Sequence, residues 1–258
     1  MTSFLKVVFC FALALSFSVA NAAHLPSSFR ALNDYVIPSP NQSEAGTCAF
    51  MAATGAMEIL LNKKLGIHHP VVGGETDLSE RFNIVSPASN TVPKAWYEEM
   101  FLKFNNGVAV LFKDMPFEFY TENGDQDFGV WDIPSNYLTA PRIKLPPVET
   151  VLLFSLGNQY SRLVLDQSHV EMVKEALVKY QSPVIAVGND EEFWHVVVIT
   201  GYDDNAEDGA CYELASTVCK GKKGAFFVRD SFGTRLEKRS YEWFIRRQNS
   251  ASVAKLAD

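Results

Sequence analysis

The sequence predicts an α+β fold, helical in its first half and strand-rich in its second, with a cleft between two lobes. Three observations predict it. The run C-A-F-M-A-A-T-G-A-M-E-I-L-L from Cys48 to Leu61 is apolar on nearly every face, which suits a helix buried within a domain. After Pro183 the chain changes to short apolar or β-branched runs between turn residues, the pattern of strands. With 258 residues, 47% of them hydrophobic and 21% charged, the chain can bury a sizeable core as one large domain or two lobes.

Taken in order, residues 1–22 have the pattern of an export signal. Lys6 and the N-terminal amine precede the apolar run Val7 to Ala20, and Ala20-Asn21-Ala22 fits a small-residue cleavage site. The run is short for a membrane span, so cleavage is expected to leave 236 residues with no membrane anchor. Residues 23–41, rich in proline and serine, predict loop with a short strand at Val36-Ile37. The buried helix from Cys48 carries Glu58 as its only charge, and Gly55 within it marks close packing. Asp77-Leu78-Ser79-Glu80 has the polar residues of a helix start, and Pro93 to Lys103 suits a helix with Pro93 in its first turn. Residues 105–147 predict loop and short strands.

Val170, Val173 and Leu177 define one face of a helix over Val170–Tyr180, with Glu171 and Lys174 outward. Strands follow at Pro183–Val187, Trp194–Thr200, Ala225–Arg229 and Tyr241–Ile245, with Arg246-Arg247 as a solvated strand end. The lobes are accordingly expected at 23–140, helical, and 141–258, rich in strands.

The formal net charge of −7, or −8 without Lys6, argues against nucleic acid as a partner. Once the signal and Cys10 are removed, three cysteines remain, Cys48, Cys211 and Cys219. In an oxidising compartment an odd count leaves one thiol over or pairs it with another chain, and Cys211 with Cys219, close in sequence, is the natural pair. Cys48 is then the free thiol. It opens its apolar run at a loop-to-helix junction, where exposed N–H groups and the helix dipole favour a thiolate. Gln42, six residues earlier, can donate a side-chain N–H to an oxyanion forming beside that sulfur.

A cysteine nucleophile needs a base, and the base needs a partner to hold its ring. Of five histidines, only His195 leads a strand, in E-F-W-H-V-V-V-I-T-G-Y, 147 residues after Cys48. At the end of the next strand Arg229-Asp230-Ser231-Phe232-Gly233-Thr234 offers a carboxylate, Asp230, that can fix the His195 tautomer, with Phe232 shielding the contact from water. The paired His68-His69 lacks spaced partner ligands for a metal.

These blocks together resemble the papain family of cysteine peptidases. Leu25-Pro26-Ser27-Ser28-Phe29-Arg30 is similar to the start of a mature enzyme of that family. Gln42 through Cys48 to Glu58 aligns without gaps with its oxyanion glutamine, nucleophile and helix. Leu78-Ser79-Glu80, Ser182-Pro183-Val184, His195 through Gly201-Tyr202, and Asp230 through Thr234 follow in the family's order. The general spacing of nucleophile, histidine and orienter in that family is a worked example in general treatments of sequence motifs. The resemblance implies a papain-like two-lobe fold with a β-barrel-like second lobe, a catalytic set of Cys48, His195, Asp230 and Gln42, a peptide or protein substrate, and no cofactor or metal.

The chain also departs from the family. Ala49 replaces the tryptophan after the nucleophile, Ala45 replaces a cysteine, and aspartate stands where asparagine orients the histidine. The Asn-Gly-Gly that presents backbone to substrate has its best counterpart in Asn90-Thr91-Val92, whose side chains would narrow the cleft beside Trp194 and Phe232. The predicted cleavage site leaves no room for the family's long inhibitory propeptide. An exported peptidase is the leading expectation. The alternatives are a papain-like binding protein without turnover, and a cysteine amidase or acyltransferase using the same groups.

Overall fold

The computed structural model describes residues 25–85, 108–119, 128–156, 165–189, 194–207 and 222–257. Outside them lie the export signal, Asn90, Thr91 and Val92, the helix expected at Pro93–Lys103, and both Cys211 and Cys219.

Helix α1 (Cys48–Leu65) is buried from Cys48 through Asn62, as its all-round apolar sequence requires. It stops at Gly66, whose left-handed φ of 68° lets its N–H cap the carbonyls of Asn62 and Lys63. Lys63 and Lys64 complement the dipole in the last turn. Midway, Gly55 faces the Arg229 guanidinium, and a Cβ there would lie 2.2 Å from Arg229 Nη1. That guanidinium is committed elsewhere, donating to Met51 O at 2.8 Å and Ile37 O at 3.0 Å and meeting Glu58 Oε2 at 3.2 Å. Gly55→Ala is therefore expected to destabilise the fold by about 1–3 kcal/mol through overpacking. A lower urea midpoint at unchanged slope would show it.

Helix α2 (Glu80–Val85) starts where the Asp77–Glu80 signal puts it, with Ser79 Oγ accepting from Phe82 N at 2.9 Å. The remaining strands are β1 (Ser28–Phe29), β2 (Val148–Ser155), β3 (Val184–Asn189), β4 (Trp194–Asp203), β5 (Ala225–Arg229), β6 (Glu237–Ser240) and β7 (Ser250–Leu256). All pair antiparallel in one sheet ordered β2-β7-β3-β4-β5-β6, and β1 joins β4 with Ser28 opposite Asp203. The segment leading into α1 is thus tied to the sheet of the second half. The main hydrophobic core runs continuously from α1 into β3, β4, β5 and β7. No helix among the described residues is long and apolar enough to cross a membrane.

Several expectations are corrected. Val36-Ile37 is not a strand: it is buried, irregular chain after a 3-10 turn at Asn33–Tyr35, and the short strand is β1. Tyr241–Ile245 is helical, within the helix Tyr241–Arg247, so Arg246 and Arg247 end a helix rather than a strand. Ser240 caps that helix by accepting from Trp243 N at 3.0 Å, and Tyr241 and Phe244, three apart, both pack edge-on against Phe226. That spacing is helical, whereas alternation was assumed. Lys174 is not outward on its helix (Gln167–Tyr180). It is buried, 3.0 Å from Asp204 Oδ1, 3.1 Å from Glu171 Oε2 and over the Tyr202 ring, because these two carboxylates meet its charge as the stem packs inward. Strands β2 and β7 had no prediction. The sequence S-A-S-V-A-K-L of β7 is poor in strand-forming residues, yet its small side chains suit its central place between β2 and β3.

Candidate active site

Cys48 is the first residue of α1, buried, at the end of the helix where backbone N–H groups lack intrahelical acceptors. The Thr47 side chain does not cap this end, though its carbonyl accepts from Phe50 N at 2.9 Å and from Met51 N at 3.1 Å. Helix α1 packs on β4, whose second residue is His195. The antiparallel register that places Val198 opposite Arg229 brings Asp230, just past β5, to the same end of the sheet as His195. His195 Nε2 lies 2.6 Å from Asp230 Oδ1. Cys48, at the start of the helix that packs on β4, bears on the same imidazole through its charge. The Cys48 sulfur also lies 4.0 Å from the Trp194 carbonyl oxygen.

The fold thus brings His195 into contact with Asp230 and sets the Cys48 sulfur beside Trp194, the residue before His195. Phe232 stacks on the His195 ring, centroids 5.6 Å apart at 23°. Trp194 is half-buried beside Cys48, contributing its carbonyl there. Gln42 is buried, and its N–H donates to Ser231 O at 2.8 Å. Residues 39–42 run antiparallel to 231–234, with Ser39 N donating to Thr234 O and Asn41 bridged to Phe232. The loop that carries Gln42 is therefore clamped to the turn that carries Asp230.

Electrostatics favour a charged pair. Burial disfavours the imidazolium of His195, but the hydrogen bonds and negative charge of Asp230 and Cys48 outweigh it and raise the ring to about 9. Burial likewise pushes Asp230 up, yet the His195 contact, the Ser231 N–H and the Arg239 charge hold its carboxyl below the usual range. Arg239 escaped the sequence analysis. Its Nη2 donates to Asp230 Oδ2 at 3.2 Å, and the guanidinium also pairs with Glu237 Oε2. An arginine within E-K-R-S on a short strand looks like one more solvated charge, and only the sheet register turns it inward.

His68 and His69 lie apart from this site. His69 is exposed near Asp34 and Arg235, and His68 lies against Tyr35.

No family model and no curated protein matches the sequence. Solved structures do. The clostridial cysteine protease Cwp84, after propeptide cleavage, superposes with a TM-score of 0.57 at 19% identity over 90% of this chain. The chain spans 59% of that protein's length. Digestive procathepsin L 3 of Tenebrio molitor larval midgut gives 0.55 at 16% identity, covering 92% of this chain and 72% of the other. The bromelain protease of Ananas comosus gives 0.57 at 14% identity, covering 90% of this chain and 100% of its own. At these identities, the shared property is the fold.

Proposed function

Starting from a papain-like fold, we propose that this chain is an exported cysteine peptidase in which Cys48 is the nucleophile and His195 the acid–base group. The observation that carries the proposal is the buried His195 imidazole, 2.6 Å from Asp230 on the strand against which the Cys48 helix packs, with the Cys48 sulfur 4.0 Å from the adjoining Trp194 carbonyl oxygen. A binding surface has no use for a thiol, a histidine and a carboxylate arranged in that order.

In this scheme the Cys48 thiolate attacks a peptide carbonyl carbon, forming a C–S bond. Gln42 and the Cys48 backbone N–H steady the oxyanion. The His195 imidazolium gives its proton to the departing amine as the C–N bond breaks, leaving an acyl-enzyme. Neutral His195 then takes a proton from water, the hydroxide displaces sulfur, and the ion pair is restored. Asp230 orients the ring throughout and Phe232 keeps water from that contact. The set requires neither metal nor organic cofactor. Export by residues 1–22, a Cys211–Cys219 disulfide and a cleft edge formed by Asn90, Thr91 and Val92 belong to the same proposal. N-terminal sequencing and disulfide mapping by mass spectrometry test the first two.

The direct test incubates mature protein with unfolded casein and counts new α-amines, with Cys48→Ala as control. Cys48-dependent cleavage is expected. Adding a primary amine separates hydrolysis from acyl transfer, since an acyltransferase would give amide product in place of free acid. Cleavage unchanged in Cys48→Ala, or none at all against casein and a peptide library, would overturn the proposal. Because amine departure needs the imidazolium, and that ring holds its proton up to about 9, activity is expected to fall as pH rises through that value. A pH profile of initial rates checks it.

A further inference from the structure

The third member of the site is an aspartate, and its charge is met by a second ion pair. Asp230 uses one oxygen, Oδ1, for His195 Nε2 and for the Ser231 N–H at 2.7 Å. The other, Oδ2, takes Arg239 Nη2 at 3.2 Å. Both oxygens are therefore committed, and the carboxylate cannot rotate without breaking a charge-assisted bond. Arg239 is itself fixed. It is buried on β6, its guanidinium lies 5.8 Å over the Trp243 ring, and it pairs with Glu237. Glu237 in turn accepts from Thr234 Oγ1 at 3.0 Å. The charges alternate along one line: His195, Asp230, Arg239, Glu237.

From this geometry we infer that Arg239 is a positioning residue, holding Asp230 toward His195 and offsetting part of its negative charge so that the imidazolium can still release its proton. The inference rests on the peptidase reading for its role in turnover, though not for its effect on the ring. An unopposed carboxylate buried against an imidazole would stabilise the charged ring further, making it a poorer acid. Among the described residues, the charged and titratable groups facing His195 include Cys48 and Asp230. Those facing Asp230 include His195 and Arg239, and Arg239 in turn faces Asp230 and Glu237.

The arrangement predicts opposite effects from its two ends. Arg239→Met removes the offsetting charge, so the His195 titration should move to higher pH, by about half a unit or more. Glu237→Gln frees the arginine's charge to act on Asp230, so the same titration should move to lower pH. Arg239→Lys keeps the charge and should largely restore the midpoint, while losing the fixed fork and hence part of kcat.

The experiment follows His195 directly by NMR titration of the labelled imidazole, assigned with His195→Ala, in mature protein and each variant. Thermal unfolding is recorded in parallel. This readout needs no turnover, so an inactive wild type would count against the peptidase reading and leave the charge relation fully testable. Shifts of opposite sign support the inference. If Arg239→Met does not fold, Glu237→Gln and Arg239→Lys decide it. An unmoved midpoint in the folded variants, with only melting temperature altered, overturns it and leaves Arg239 a structural residue.

Discussion

Replacing His195 with alanine is expected to lower kcat/KM for amide hydrolysis by about 10³-fold or more, with the fold intact. The substitution removes the proton donor for the leaving amine, the base for deacylation and the counter-charge of the Cys48 thiolate at once. General acid–base catalysis alone contributes roughly 10²–10⁴-fold. His195 is a buried residue of β4 whose ring stacks on Phe232, so alanine leaves a small polar void rather than a broken element. Circular dichroism and melting should therefore change little beside the kinetic loss. Asp230→Asn should cost less, because an amide can still orient the ring. Without the carboxylate charge the imidazolium is held less firmly, and the alkaline limb should move below its position near 9.

The largest effect on stability is expected at Arg229, the residue before Asp230. Its guanidinium lies among buried carboxyls, 3.2 Å from Glu58 Oε2 and 3.6 Å from Glu80 Oε1, and ties α1 and the Ile37 segment to the end of β5. Burial raises Glu58 well above the carboxylate range, with Arg229 opposing, and raises Glu80 to about 7 against an ordinary 4.5. Arg229→Met leaves these carboxyls buried without their cation, which costs about 3–5 kcal/mol at neutral pH. Because Arg229 opposes that rise, its loss should push both carboxyls up further, so the difference from wild type should widen as pH rises above about 7.

The wild type carries the same signature in milder form. Glu80 binds its proton more tightly folded than unfolded, so its contribution to stability is full below pH 4.5 and is lost as pH rises through about 7. Urea unfolding at a series of pH values should show a decline across that window, with a slope of up to about 1.4 kcal/mol per pH unit for one proton. Glu80→Gln should flatten it.

The sequence disclosed what the chemistry fixes locally. Cys48 had to open a helix, and the all-round apolar run after it allowed only a buried one. His195 and Asp230 lay at ends of strands that alternation and turns made visible. What escaped depends on long-range packing. Strand β7 is built of small residues whose strand character comes from neighbours β2 and β3. The helix Tyr241–Arg247 hides in an aromatic run that alternation and helical spacing describe almost equally well. Lys174 and Arg239 look like surface charges until Asp204 and Asp230 are known to lie beside them. The buried Arg229 that supports the site was, in the sequence, only the residue preceding the aspartate.

The central claim is that Cys48 is an activated nucleophile, and its rate of alkylation by a neutral thiol-reactive epoxide at pH 6 tests this most directly. A thiol of ordinary acidity is only about 0.3% ionised at that pH. Intact-mass and peptide mapping should show one epoxide per chain, on Cys48, at about 10²-fold the rate of glutathione. The adduct should be absent in Cys48→Ala and slowed by a similar factor in His195→Ala. Alkylation of Cys48 no faster than that of glutathione, and indifferent to His195, would contradict the account.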